Sequence, residues 1–329
     1  MSTLRRLALV TTIATYLLIS VGALVRASGA GLGCPDWPRC YGRWVPPTDA
    51  AQVPLEQRAE FNVVKCWTEY LNRLVGVGIG FLVLGTAVAA ILVWRRSRQQ
   101  PQGDSRRPAR LAQLATASLL LVGFQGWLGG KVVTLELDPR LVSIHFLVAV
   151  VIVWLLSYLC LQSLSSRFPQ QRELDPASRR LRRWTLLGLA VTTAQMLMGT
   201  LVRGGVDIEA DARPDDPRES WLDAVGWTDT LHRDGAIAVL ALVVVLFVLA
   251  RRCWSGRGWL RRVVLFNLAV ATGQIVAGLV LAYASLPPVA QIVHVSLGTW
   301  LVGGLHLQWL LSVRSEETAP LVASTEVVV

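Results

Sequence analysis

The chain has 329 residues, 53% of them apolar and only 16% charged, with a formal charge of +10 and a mean hydropathy of +0.47. A soluble domain carries about a quarter charged residues, so this composition suits lipid rather than water. Collagen-like, disordered and disulfide-scaffold classes are excluded, because the 27 glycines follow no triplet period, apolar content is high and there are only five cysteines. The positive charge sits in short segments between apolar runs and forms no basic stripe interleaved with aromatic residues, which excludes nucleic acid as a partner. The class is an all-α membrane protein.

Eight stretches are long and apolar enough to cross ~30 Å of hydrocarbon as helices. In chain order they lie near Leu7 to Val25, Thr68 to Val93, Leu111 to Val132, Leu141 to Leu164, Trp184 to Val202, Thr228 to Ala250, Val263 to Tyr283 and Val289 to Leu311. Arg5 and Arg6 precede the first, as in a signal peptide, but its 19 uncharged residues exceed the ~7 to 15 of a signal core, and it reads as a retained helix. If the spans alternate, 20 of the 32 basic residues fall on the side of Arg5, the segments 95–110, 167–183 and 251–262, and the tail after Leu311. The positive-inside rule makes that side, with both termini, cytoplasmic, as in the inner (plasma) membrane of a bacterial cell. The opposite side carries a long loop, 26–67, a second at 203–227 and two short turns. It holds most of the acidic residues.

The second half of the chain repeats the first. Gly22-Ala-Leu-Val-Arg26 recurs as Gly199-Thr-Leu-Val-Arg203, and Glu69-Tyr-Leu-Asn-Arg73 as Asp229-Thr-Leu-His-Arg233. Gln125, Gly129 and His145 recur as Gln274, Gly278 and His294, each 149 residues on. The expected architecture is therefore two tandem-repeated four-helix bundles, 1–164 and 184–311, with a cytoplasmic linker at 165–183 and a cytoplasmic tail at 312–329.

All four histidines lie in apolar spans, where an ionisable side chain is costly and needs a partner. His232 and His294 stand near the outer starts of two spans of the second bundle, at similar depth. Imidazoles facing each other in a bundle can bind a metal or both faces of a haem iron. His145 occupies the corresponding place in the first bundle, and Asn72 stands where the partner of His145 would be. A single such histidine is equally served by a hydrogen bond to a neighbouring helix. His306 lies 12 residues beyond His294, ~18 Å deeper and about 120° around the helix, and reads as structural. Zinc or copper would need three or four ligands, and no Cys or carboxylate set accompanies His232 and His294. A haem needs only axial ligands, an apolar slot and cations for its propionates, and fits best. Arg73 and Arg233, each next to a ligand position, are candidates for the propionates, and Arg26 and Arg203 are weaker ones; all four can instead snorkel to the interface.

Glu69 shares a helix face with Asn72. A carboxylate beside a haem pocket can exchange protons or stabilise positive charge, although a first-turn acid is also favoured by the helix dipole alone. Cys34 and Cys40 flank Pro35-Asp36-Trp37-Pro38-Arg39, a short loop that suits a disulfide on an oxidising side. Cys66, Cys160 and Cys253 read as unpaired.

The run Gly22-Ala-Leu-Val-Arg-Ala-Ser-Gly-Ala-Gly-Leu-Gly-Cys-Pro-Asp-Trp-Pro-Arg-Cys40, followed by the Glu69 motif and the spaced histidines, resembles the haem A synthase family over nearly the whole chain. The resemblance implies an oxidoreductase that converts the methyl group on one pyrrole of haem O to formyl, through hydroxymethyl, giving haem A for terminal oxidases. It implies a haem b cofactor between His232 and His294, near Arg233, and a substrate haem site with Glu69 as catalytic residue and Asn72, Arg73 and His145 as binding residues. Asn72 departs from the family pattern, which has histidine there. An amide is a poor iron ligand, so His145 becomes the sole strong axial ligand of that half, with one axial position open. The partners implied are haem O, membrane lipid, a haem O synthase and an electron donor.

Three other readings compete. A haem-binding electron carrier or haem chaperone without synthase activity is kept open by Asn72. A prenyltransferase would use Asp211-Ala-Arg-Pro-Asp215 to hold Mg2+, but that motif stands alone on the outer side. A transporter would show broken helices at the midplane, and only glycine-rich spots occur.

Overall fold

The computed structural model describes residues 1–99, 106–164, 173–254 and 257–314. Among them the regular elements are helices: α1 (Ser2–Ala27), α2 (Val63–Arg98), α3 (Arg106–Thr134), α4 (Pro139–Ser163), α5 (Pro176–Ala212), α6 (Arg218–Val225), α7 (Trp227–Arg251), α8 (Gly258–Tyr283) and α9 (Pro288–Leu311), with two short 3₁₀ turns at Ala50–Gln52 and Leu55–Gln57 in the outer loop. All but α6 are long and apolar enough to span a membrane, eight in all. The protein is a multi-pass membrane protein. The expected linker at 165–183 and tail at 312–329 fall partly outside the described residues.

Capping residues set several helix starts. Asn62 accepts hydrogen bonds from the backbone N–H groups of Val64 and Lys65 to open α2. Asp138 and Asp175 do the same for α4 and α5, each followed by a proline whose missing N–H costs nothing in the first turn. The Asp175 cap begins α5 at Pro176, so the basic run 179–183 is its first two turns rather than linker. At the other end α5 runs past Val202 to Ala212, and α6 follows, so most of the stretch expected to be the second outer loop is helix. Its acidic residues support that extension through i,i+4 pairs, Arg203 to Asp207 and Glu209 to Arg213.

Helices α1 to α4 close into one ring by neighbour packing, α1 on α2 and α4, α3 on α2 and α4; α5, α7, α8 and α9 close into a second. The rings meet where α1 and α4 pack on α9 and α4 on α5. Consistent with a repeated unit, the turn between α3 and α4 and the turn between α8 and α9 carry the same pair of left-handed residues, Glu136 and Leu137 in one, Ser285 and Leu286 in the other, again 149 residues apart.

The packed core lies at one end of both rings. Buried side chains run from Leu4 to Thr15 in α1, Ile79 to Ala90 in α2, Val150 to Ser163 in α4, Val239 to Ala250 in α7 and Ser296 to Leu311 in α9. Buried polar groups there find partners across helices, as hydrocarbon demands. Asn267 donates to Gln308 at 2.9 Å and Gln308 to Thr185 at 3.0 Å, joining α8, α9 and α5. Thr11 and Thr86 meet at 2.9 Å between α1 and α2. At the seam, Gly303 is required by close approach, because a Cβ there would stand 1.7 Å from the Tyr16 hydroxyl of α1.

Gly303→Val is expected to lower stability by about 1–3 kcal/mol through overpacking of this seam. A thermal melt in detergent checks it, and adding Tyr16→Ala is expected to restore much of the loss.

Candidate functional site

The outer ends of the rings differ from the inner ends. Among the described residues, α4 has no buried side chain before Val150, α7 none before Val239 and α9 none before Ser296. In α2 nothing is buried between Glu69 and Ile79. His145, His232, His294 and Asn72 all stand in these stretches, each half-buried. The bundles thus withhold a packed core from the zone around the histidines.

In the second ring His232 of α7 and His294 of α9 face each other, ring centroids 6.2 Å apart and planes at 70°. Gln195 of α5 holds His232 by donating to its Nδ1 at 3.0 Å and to its backbone carbonyl at 2.5 Å. A Cβ on Gly199 would lie 2.9 Å from His232 Cε1, and one on Gly278 3.4 Å from His294 Cε1, so a glycine makes room beside each imidazole. Nδ1 of His294 has no partner although buried. Two facing imidazoles in an unpacked apolar zone, backed by small residues, fit a flat macrocycle held by axial imidazoles.

In the first ring Gln125 of α3 donates to the His145 carbonyl at 2.8 Å, Gly129 makes room beside its ring, with a Cβ-to-Cε1 distance of 3.2 Å, and Nδ1 is again buried without a partner. On α2, Asn72 leaves its Oδ1 buried and unpartnered. This half offers one imidazole and one amide.

Glu69 lies under the outer loop and is only 3% exposed. Its Oε2 accepts from the Cys34 backbone N–H at 2.8 Å and its Oε1 from Arg73 at 2.5 Å. Arg73 also donates to the carbonyls of Cys34, Asp36 and Arg39 at 3.0, 2.8 and 2.9 Å. Glu69 and Arg73, one turn apart on α2, therefore clasp the whole turn from Cys34 to Cys40, which a disulfide closes. Asp36 tightens it by accepting from the N–H groups of Tyr41 and Gly42. Gly33 lets the loop lie on α2, since a Cβ there would be 2.4 Å from the Lys65 carbonyl.

Arg233 pairs with Asp229 at 2.6 Å and is 42% exposed, more open than Arg73. Arg26 and Arg203 converge on Asp207 across the two rings, and Arg203 also donates to Gln291 at 2.8 Å. His306 is stacked between Trp154 and Trp309, with centroids 5.6 and 6.3 Å away, as a packing residue would be. Sequence reasoning missed two features. Gln195 carries no counterpart in the repeat that would single it out. Cys66, which reads as an isolated cysteine, packs against the disulfide with its Sγ 3.4 Å from that of Cys40.

Residues 5–305 match the family model described as COX15-CtaA, cytochrome oxidase assembly protein. Curated proteins named haem A synthase are similar to the chain. The one from Shewanella oneidensis is 31% identical over 194 residues, 58% of this chain and 54% of that protein, so the match spans about half its length. The one from Symbiobacterium thermophilum is 28% identical over 314 residues, 93% of this chain and 94% of that protein, and the one from Shouchella clausii 26% over 254 residues, 74% and 75%.

Arg73→Met leaves the buried Glu69 carboxylate unpaired and frees three loop carbonyls. Losing one partner of a buried pair costs about 3 kcal/mol or more. The expected outcome is faster proteolytic cleavage between Cys40 and Phe61, measured on the purified protein, with Glu69→Gln milder because Arg73 keeps its three carbonyl bonds and the amide oxygen still accepts one of the two hydrogen bonds.

Proposed function

The chain belongs to the COX15-CtaA family of cytochrome oxidase assembly proteins, and we propose that it is a haem A synthase, an oxidoreductase that takes the methyl group of haem O through hydroxymethyl to formyl. The observation that carries this reading is the pair His232 and His294, facing at 6.2 Å in an unpacked zone of the second ring, with a second histidine site at the matched place in the first. Division of labour follows from what each ring offers. In the second ring His232 and His294 would hold a resident haem b, which would supply electron transfer. The first, with His145 and no second imidazole, holds haem O as substrate. Iron in these haems supplies the redox chemistry.

The chain's own residues do the rest. Gln195 holds the His232 ring and its backbone carbonyl in place on α7. Glu69 keeps a carboxylate three residues from Asn72, at the mouth of the first ring, where it can stabilise positive charge developing at the substrate carbon or take up its proton. Arg73 and the Cys34–Cys40 turn hold that carboxylate in place and lie over the site, which limits access of water from the outer side. Arg233, partly exposed one residue from His232, is placed to meet the propionates of the haem b. The basic segments put both termini on the cytoplasmic side of a bacterial inner membrane, so the loop and both haem sites face outward. Haem O arrives from a haem O synthase, and an electron donor of the same membrane is the other partner.

Expression in a host that makes haem O but no haem A, followed by extraction and chromatography of the haems, is expected to yield haem A. Haem b bound without any haem A would favour the electron-carrier or chaperone reading that Asn72 keeps open. His232→Ala and His294→Ala are each expected to remove the low-spin haem b spectrum; a full bis-histidine spectrum in either variant overturns the ligand assignment. Glu69→Gln is expected to lower haem A output by about 10²-fold or more while sparing haem b, in the range of a lost general acid–base group.

A further inference from the structure

We propose that Cys34, Cys40 and Cys66 form a thiol–disulfide exchange centre, in which the Cys66 sulfur attacks Sγ of Cys40 and moves the cross-link from within the outer loop to between the loop and α2. The three sulfurs lie within 4.8 Å of one another. Cys34 and Cys40 are joined, and Cys66 is a free thiol. Its Sγ is 3.4 Å from that of Cys40, while Cys34 Sγ lies 3.6 Å from the Cys66 carbonyl. All three residues are 0% exposed, and Tyr41, Phe61 and Tyr70 pack over them. A thiol in solution has no path to this disulfide, so the sulfur that can reach it is the one already inside.

The step balances without an external oxidant or reductant. The Cys66 thiolate forms a bond to Cys40, the Cys34–Cys40 bond breaks, and Cys34 leaves as the thiolate that takes up the proton given by Cys66. One disulfide and one thiol exist before and after. The cross-link changes from a separation of six residues to one of 26, tying the loop directly to the first turn of α2. Glu69 feels the change, because the Cys34 backbone N–H donates to Glu69 and the Cys34 carbonyl accepts from Arg73. Releasing the Cys34 sulfur loosens the rung through which the loop meets that carboxylate.

The test uses the full-length protein, purified in detergent without reductant and incubated at pH values from 7 to 9. Samples are acid-quenched, denatured, alkylated with N-ethylmaleimide, digested without reduction and read by mass spectrometry. The expected result is a growing share of molecules with Cys34 alkylated and Cys40 joined to Cys66, formed about tenfold faster per pH unit because the thiolate is the attacking species. Alkylation of Cys66 alone at every pH overturns the proposal. In Cys34→Ser isolated without reductant, a Cys40–Cys66 disulfide formed while the chain matures on the oxidising side is expected; Cys40 and Cys66 both open to alkylation after denaturation overturns it. In Cys66→Ser, Cys34 is expected to stay unlabelled throughout, and labelled Cys34 would show that the link opens without Cys66. Because the readout is covalent, it stands or falls independently of haem binding.

Discussion

A membrane bundle that must hold a large flat group cannot be packed along its whole length, and the space has to be held open by parts that are packed. Here the inner ends of both rings do that holding. The Asn267–Gln308–Thr185 chain and the close seam of Tyr16 on Gly303 fix helix spacing where apolar side chains interlock. Farther out α4, α7 and α9 bury few side chains, and a smaller outer cluster of Val202, Val206 and Leu222 packs beyond the histidines, so the gap beside them is held by packed groups at both ends. An imidazole in that gap meets few competing partners. Its ring nitrogen is left for a ligand, which is why the histidines, rather than the more numerous arginines, mark the chemistry.

The outer loop solves a second problem that lipid creates. A turn lying over a membrane site exposes backbone carbonyls, and those groups need donors. Arg73 provides them to Cys34, Asp36 and Arg39 from inside α2, with Glu69 balancing its charge. The pair is thereby structural and chemical at once. Removing either member changes the shape of the lid as well as the charge of the site, and the milder Glu69→Gln separates the two effects.

The eight spans were legible in sequence because they rest on long apolar runs, and the turn pairs Glu136–Leu137 and Ser285–Leu286 are consistent with the repeat read from residues 149 apart. The helical extension of α5 to Ala212 was not legible, since Asp207, Glu209 and Asp211 look like loop until Arg26 and Arg203 are seen to neutralise Asp207. The start of α5 at Pro176 was likewise hidden behind a basic run that a membrane-protein reading assigns to a linker. Cys66 was unreadable for another reason. Its nearness to Cys40 arises only when the turn folds back over the first turn of α2, and no local pattern encodes a contact 26 residues apart.

The two rings share a plan but differ at the position opposite the α9 or α4 histidine. In the second ring Gly199 leaves room for His232, and Gln195 one turn earlier orients it. The corresponding positions of α1 are Gly22 and Leu18. A Cβ on Gly22 would meet nothing within 4 Å, and leucine has no amide to offer, so the support for an imidazole is missing together with the imidazole itself. Asn72 is thus one part of a coordinated difference and not an isolated replacement. Restoring histidine alone at that position would place a ring without its orienting partner. The first ring therefore presents one imidazole at this depth, where the second presents two that face each other at 6.2 Å.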